Sequence, residues 1–418
     1  MRKEATAGNN GISILVALSY LVIVGVDEML LRPHEALRQR YRALVWVIVV
    51  GCYFVFPTSY TLSPFTVALI PCFLVLVRLR RHPRWLARTA LLVATPLLAL
   101  QLGNMVIRVQ IHLRPTKSVT GASGFMLPDP VLGYRPREGR VAVKKTIGDW
   151  VVFDSQYTID EHGRRLIPVD IQNKGTQHLL LFGCSWTFGA GLNDTETIGA
   201  HLAKRVNNSV VYNYGCQGYG LQHVYAKIQS GTLASEVPER TGHLIYFALL
   251  PTHNDRLLGS YHSLSWLKDS PRFVLGQESR VERRGTFESS DRLRVHLLDV
   301  LRSSWTLHRG AERLERVLST SQETDLFVRM ITESRRLYLE QFSGRYIVCV
   351  WPQWHTPPQK MFADALLTRV RALGVEVVDL RGLVGKRSDF TIAGDGHPNG
   401  ELHRAVSEAL IGPIGRPH

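Results

Sequence analysis

A three-layer α/β/α domain on a mainly parallel sheet, preceded by an N-terminal transmembrane helical region, is the fold class this chain predicts. Three observations carry it. Residues 11–107 hold long apolar runs with few charges, whereas the chain after about residue 110 mixes charged, polar and apolar residues as soluble domains do. From residue 178 onward, the short apolar runs HLLLFG, SVVYNYG, HLIYFALL, RYIVCVWP and VEVVDL recur at intervals. Between them lie amphipathic stretches near 196–206, 220–232, 323–341 and 359–373, which read as helices. Strands that are apolar almost continuously and alternate with helices require a sheet covered on both faces.

The N-terminal region contains four stretches, about 12–31, 43–61, 64–79 and 86–107, that approach the ~20 apolar residues needed to cross a bilayer. The third is short and carries Pro64 and Pro71, so a re-entrant or tilted hairpin of the second and third runs stands as the alternative. The first run is too long for a cleaved signal peptide, ends in Asp27 and Glu28, and lacks a small-residue cleavage site. Arg32, Arg38, Arg40 and Arg42 follow the first run, and Arg78, Arg80, Arg81, Arg84 and Arg88 follow the third. The loop PTSYTLS between the second and third is uncharged. Positive-inside bias assigns both basic loops to the cytoplasm, so four crossings put the chain after residue 108 outside, in a periplasm or extracellular space. Arg2 and Lys3 oppose this, with Glu4 offsetting one of them. The expectation is a multi-pass inner-membrane protein whose first partner is the lipid bilayer.

The formal charge of +15 would suggest nucleic acid if it were concentrated on a soluble face. Up to Arg108 there are 12 Lys/Arg against 4 Asp/Glu, a balance of +8 that leaves +7 for the rest. About half the excess is therefore juxtamembrane, and no basic stripe with interleaved aromatics appears later, which argues against nucleic-acid binding. The cysteines, Cys52, Cys72, Cys184, Cys216 and Cys349, show neither CxxC nor metal-ligand spacing, so no disulfide framework or zinc site follows from them; the expectation for the chain is no metal and no cofactor. A bridge between Cys184 and Cys216 needs an oxidising compartment; a small buried thiol is the commoner fate.

The domain boundaries come from composition. Residues 1–110 form the transmembrane region. Residues 111–128, with Pro115, Thr116, Ser118, Gly121, Ser123 and Gly124, read as a linker. Residues 129–175, with VAVKKTI, WVVFDSQYTI and the turn DEHGRR, read as a small β-rich lead-in. Residues 176–418 form the α/β domain. Within it, about 256–320 is charged, helix-prone and without an evident strand, and is taken as an insertion near the site, a candidate lid.

Ligands of parallel α/β sheets bind at the C-terminal ends of strands, so the residues after each apolar run matter most. The first run is followed by Gly183-Cys184-Ser185-Trp186-Thr187-Phe188-Gly189. Ser185 there would open a helix whose free N–H groups can stabilise an oxyanion, although a serine after a strand is equally an ordinary helix N-cap. The next run leads into Cys216-Gln217-Gly218-Tyr219-Gly220, where glycine lets a backbone N–H approach a ligand. HLIYFALL ends in Pro251-Thr252-His253-Asn254-Asp255-Arg256, which offers an amide donor. Near the C-terminus, Gly394-Asp395-Gly396-His397-Pro398-Asn399 supplies an imidazole with a carboxylate two residues before it. A hydrogen-bonded structural role is the commoner one for His253, as is packing for Trp351, Trp354 and His355, and a loop cap for Asp379.

These four blocks, in this order, resemble the SGNH or GDSL-type serine hydrolases over about residues 178–412. GCSWTFG resembles the nucleophile block, with Cys184 where an Asp is usual. NYGCQGYG resembles the second block, and Thr252-His253-Asn254-Asp255 the third, without its glycine. In the last block the acid commonly stands three residues before the histidine; position 394 is Gly, so the acid is assigned to Asp395, as in DGHPN-type members. DPVLGYRP followed by YTIDEHGRR resembles the preamble of some bacterial members. The resemblance implies a flavodoxin-like three-layer fold with Ser185 as nucleophile, His397 as base and Asp395 as orienting acid. It also implies an oxyanion hole from the Ser185 and Gly218 N–H groups and the Asn254 amide. The leading expectation is a membrane-anchored esterase acting on acyl esters, O-acetyl above all, of an envelope or extracellular carbohydrate or lipid. Two alternatives stay open: an O-acetyltransferase that uses the same triad with a membrane acyl-donor partner, and a non-catalytic SGNH-fold binding module.

Overall fold

Side chains alternate faces along a strand, so a strand that is apolar at every position must bury both faces. Along Gln177–Phe182, Leu179 and Leu181 enter one core while Leu180 and Phe182 enter the other. Thr241–Ala248 repeats this, with Ile245 and Phe247 on one side and Leu244, Tyr246 and Ala248 on the other. Ser343–Val350 does so again through Ile347 and Cys349 against Tyr346, Val348 and Val350. Each fully buried Leu or Ile contributes roughly 1.5–3 kcal/mol relative to exposure, so a one-residue register slip, which preserves apolarity but misplaces shape, is resisted mainly by packing.

The computed structural model describes residues 114–415 apart from 169, 172–173, 304–310, 312–323, 354 and 385–387. The four apolar runs, and the orientation and bilayer contact inferred from them, lie outside the described residues. Among the described residues, no helix is long and apolar enough to cross a membrane. Contacts divide the chain into Met1–Arg114 with His296–Leu314, and Pro115–Val295 with Glu315–His418. The second unit holds the α/β domain and its lead-in.

Its strands are β1 (Lys117–Thr120), β2 (Met126–Asp129), β3 (Gly133–Pro136), β4 (Gly139–Ile147), β5 (Trp150–Ile159), β6 (Gln177–Phe182), β7 (Ser209–Asn213), β8 (Thr241–Ala248), β9 (Pro271–Leu275), β10 (Val281–Thr286), β11 (Ser343–Val350) and β12 (Glu376–Asp379). The central sheet has the order β12-β11-β8-β6-β7, parallel throughout. Numbered along the domain, that is 2-1-3-4-5, the flavodoxin-like order, which reverses direction between β6 and β8. The principal helices are α1 (Ser185–Phe188), α2 (Ile198–Ala203), α3 (Leu221–Gln229), α4 (Thr252–Leu258), α5 (Asp325–Gln341), α6 (Pro357–Ala372) and α7 (Gly400–Ile414). Leu221 and Val224 of α3, Phe327 and Ile331 of α5, and Leu366 and Val370 of α6 cover one face of the sheet. Ile198 and Leu202 of α2 and Leu402 and Val406 of α7 cover the other. This is the α/β fold with a parallel five-stranded sheet that the strand and helix alternation predicted.

A separate antiparallel sheet, β1-β4-β5, forms from the lead-in. Val143 of β4 and Tyr157 and Ile159 of β5 join Phe125, Phe188 and Ala190 in a third apolar cluster, which packs this sheet against the loop carrying α1. Two sequence expectations need correction. The segment 111–128, read as a linker, contains β1 and the start of β2. Its turn residues are real, with Gly121 at φ 82°, but the edge of β4 offers N–H and C=O groups that Lys117–Thr120 satisfy from a distance no local signal reports. The segment 256–320, read as having no strand, contains the β9–β10 ribbon. VERRGT in β10 is charged because a two-stranded ribbon leaves one side in water, and so it lacks the apolar run that marks a buried strand. The same segment also holds a helix, Arg292–Ser303, in line with the helical expectation.

Candidate active site

Ser185 opens α1 immediately after β6, and its Oγ lies 2.9 Å from His397 Nε2. His397 Nδ1 is hydrogen-bonded to Asp395 Oδ2. A carboxylate only accepts, so Nδ1 carries the proton and Nε2 of the neutral ring accepts from the serine hydroxyl. The spacing of two between acid and base is set by the loop. Ile392 accepts from the Asp395 and Gly396 N–H groups at 3.0 Å each and donates to His397 O at 2.8 Å, with Gly394 at φ 78° and Gly396 at φ 90°. Those left-handed glycines fold the carboxylate back onto the imidazole two residues ahead, and a side chain at either position would be strained. Burial pushes the Asp395 carboxyl up, but the hydrogen bonds and charges of His397 and Lys145 outweigh it and hold the group well below the usual carboxylate range.

The nucleophile loop is held from three sides. Asn213 Nδ2 donates to Thr187 O at 2.9 Å, Cys216 N–H to Gly183 O at 3.3 Å, and Trp351 Nε1 to Thr187 Oγ1 at 3.3 Å. A Cβ on Gly183 would stand 2.1 Å from Thr187 Oγ1, so the turn into α1 tolerates no side chain there. Beneath the loop, the fully buried Arg165 donates to Gly189 O (2.8 Å) and Leu192 O (2.6 Å) and pairs with Asp194 (3.0 Å).

Ser185, His397 and Asp395 thus meet in one hydrogen-bonded row. Gly218 and Asn254 are placed by strand order: β7 and β8, which precede them, flank β6 on either side. Gly218 has φ 79°, and Asn254 is buried on α4 with its Oδ1 free of any hydrogen bond among the described residues. His253 is fully buried; its Nδ1 accepts from Leu249 N–H (3.3 Å) and faces Tyr246 OH (2.8 Å). Burial and the nearby Arg256 and His223 push its pKa well down, so it is a neutral structural residue. Asp379 pairs with Arg381 at 2.6 Å and takes no part in the row. Trp351 is buried edge-on against Trp186, while Trp354 lies outside the described residues. Cys184 and Cys216 are free buried thiols, and burial pushes the Cys216 thiol up.

Two participants escaped sequence reasoning. Lys145, inside VAVKKTI, forms an ion pair with Asp395 Oδ1 from β4. Arg165 sat in what looked like a polar turn. The one available signal was a pair of lysines on a strand, which puts one of them on the inner face.

Fold and site together define a class: a flavodoxin-like α/β domain with a Ser–His–Asp row at the C-terminal edge of its parallel sheet. Among solved structures, its neighbours are G-D-S-L lipolytic proteins and esterases that act on ester bonds. One is a lipolytic protein of the G-D-S-L family from Veillonella parvula, at 14% identity and TM-score 0.35, covering 58% of this chain and 100% of that one. An acetylxylan esterase from Geobacillus stearothermophilus has 11% identity and TM-score 0.33, covering 59% and 97%. A family two carbohydrate esterase from Clostridium thermocellum has 13% identity and TM-score 0.32, covering 68% and 81%. No family model and no curated protein matches the chain.

Proposed function

We propose that this protein is an SGNH-type serine esterase that removes acyl groups, O-acetyl foremost, from carbohydrate esters. The observation that carries this reading is the continuous hydrogen-bonded path from Ser185 Oγ through His397 to Asp395. In the reaction, His397 Nε2 takes the serine proton as Oγ bonds to the ester carbonyl carbon, and Asp395 stabilises the imidazolium. The Ser185 and Gly218 N–H groups and the Asn254 amide receive the oxyanion, each contributing about 3 kcal/mol. The imidazolium then protonates the departing alkoxide; water, giving a proton to the same ring, bonds to the acyl carbon, and the ring returns that proton to Ser185 Oγ as the acid leaves.

Two exposed indoles support a carbohydrate substrate. Trp266 is 39% exposed and Trp150 50% exposed. A Cβ on Gly218 would lie 3.0 Å from the Trp266 ring, and one on Gly394 2.6 Å from the Trp150 ring, so each indole borders one of the site loops. Aromatic faces suit the C–H faces of sugar rings, and an amphipathic ring is suited to a wet surface. The apolar runs before residue 110 support tethering to a membrane, with an envelope polymer as the substrate.

Labelling tests the chemistry. A fluorophosphonate should modify the wild-type chain at Ser185, and acetate should be released from an acetylated polysaccharide; an unlabelled, active protein would overturn the reading. Adding a deacetylated glycan distinguishes a transferase, which would acetylate it. For the substrate class, Trp266→Ala should raise KM for the acetylated glycan by about 3- to 10-fold, the loss of about 1 kcal/mol of stacking. Its kcat on a small activated acetyl ester should stay at the wild-type value; an unchanged KM would remove the carbohydrate assignment.

A further inference from the structure

We infer that Lys145 is a positioning residue for the Ser–His–Asp row, so that the β1-β4-β5 sheet is part of the working site. This rests on the esterase reading.

Adjacent lysines on β4 point to opposite faces. Lys144 pairs across the strand with Asp154 at 3.2 Å and is 44% exposed, whereas Lys145 is 17% exposed and forms its ion pair with Asp395. The two carboxylate oxygens of Asp395 are divided between partners: Oδ2 serves His397 and Oδ1 serves Lys145. That division fixes rotation of the carboxylate about its own bond, which the glycine-flanked turn by itself leaves free. The rest of the hairpin grips the same loops. Ile147 and Trp150 press on Gly394, and Phe153 and Ile392 both press on Gly191. Tyr157 OH accepts from Gly191 N–H at 2.8 Å, and Ser155 Oγ donates to Gly191 O at 2.7 Å.

The charges around the row give the inference a signature. Asp395 faces Lys145 from β4, His397 from its own loop and the phenol of Tyr157 from β5, which burial keeps protonated. His397 faces Asp395 and, from α7, His403, whose pKa burial pushes down to about 3, leaving it neutral. Lys145 is therefore the cation paired with the Asp395 carboxylate itself, whereas the buried Arg165 acts on the Tyr157 phenol and on His403. Lys145 offsets part of the field that Asp395 exerts on the imidazole. Removing it takes a positive charge from beside the carboxylate that backs the imidazole, so the acidic limb of activity moves to higher pH, while the less constrained carboxylate lowers kcat.

The experiment compares pH profiles of kcat/KM for 4-nitrophenyl acetate in the full-length chain. Lys145→Met should lower kcat about 10-fold, leave KM within about 2-fold, and move the acidic limb up by about half a pH unit. Lys145→Arg keeps the charge and should restore the limb and most of kcat. Lys144→Met should match wild type. A wild-type profile for Lys145→Met, or a loss without any movement of the limb, overturns the inference; so does an equal loss in Lys144→Met. Should Lys145→Met not fold, Lys145→Gln and Lys145→Arg are compared by the pH dependence of fluorophosphonate labelling, with the same displaced limb expected for Gln alone and its absence counting against the inference. Ser185→Ala separates the two failures: an active Ser185→Ala protein removes the esterase reading, whereas an inactive one beside unaffected Lys145 variants removes only this inference.

Discussion

Ser185→Ala is expected to lower kcat on an activated acetyl ester by roughly 10⁴-fold or more while leaving the fold in place. The serine hydroxyl is the group aligned with His397 Nε2, at 2.9 Å. The nearest thiol along the chain, Cys184, is buried behind it as the residue preceding α1 and is not placed to substitute. Structurally the change removes one partly buried hydrogen bond, a loss of about 1 kcal/mol, so the thermal midpoint should fall by a few degrees at most. Activity at the wild-type rate would show that the row is not the reacting site. Collapse of the fold would mean that Ser185 carries more structural weight than its contacts suggest, and His397→Ala would then serve as the second probe of the same path.

The second large effect is on stability. Arg165→Met should destabilise the domain by about 3–5 kcal/mol, the loss typical of a buried charge pair from which one partner is removed. The guanidinium is buried, pairs with Asp194, donates to the carbonyls of Gly189 and Leu192, and lies 4.2 Å from the centroid of the Tyr157 ring and 4.7 Å from that of Phe188. Methionine fills part of the volume but takes the charged donor from Asp194, which keeps only Thr158, and from the Gly189 and Leu192 carbonyls, of which Gly189 O keeps the Leu192 N–H. Arg165→Lys should recover only part of the loss, because an ammonium cannot reproduce a planar fork that serves several acceptors at once. Urea unfolding reads the outcome directly; a change below about 1 kcal/mol would mean that water replaces the arginine without cost. Since the carbonyls in question end the loop that carries Ser185, kcat should fall in the same variant.

How much of this was legible beforehand depends on the range of the interaction. The runs that became β6, β8 and β11 were readable because burial on both faces leaves an apolar residue at every position, and α5 and α6 because their apolar residues recur at helical spacing. β1 and β10 were not, since one is an exposed edge and the other half of a solvated ribbon, and neither needs an apolar pattern to form its hydrogen bonds. Nothing in the strand VAVKKTI or the turn DEHGRR singled out Lys145 or Arg165, because charge is nearly always solvated and only a partner brought from far along the chain makes an exception worthwhile. Lys145 and Asp395 are separated by 250 positions.

The sequence by itself determined the alternation of strand and helix, and with it the strand ends after which Ser185, Gly218 and Asn254 stand, since these come from local periodicity and from where a parallel sheet presents its loops; His397 stands apart from them, in the loop before α7. Only the tertiary structure decided that Asp395 shares its carboxylate between His397 and Lys145, and that a buried Arg165 supports the nucleophile turn. Those contacts depend on a hydrogen bond's directionality and a reach of about 3 Å between segments that no local pattern relates.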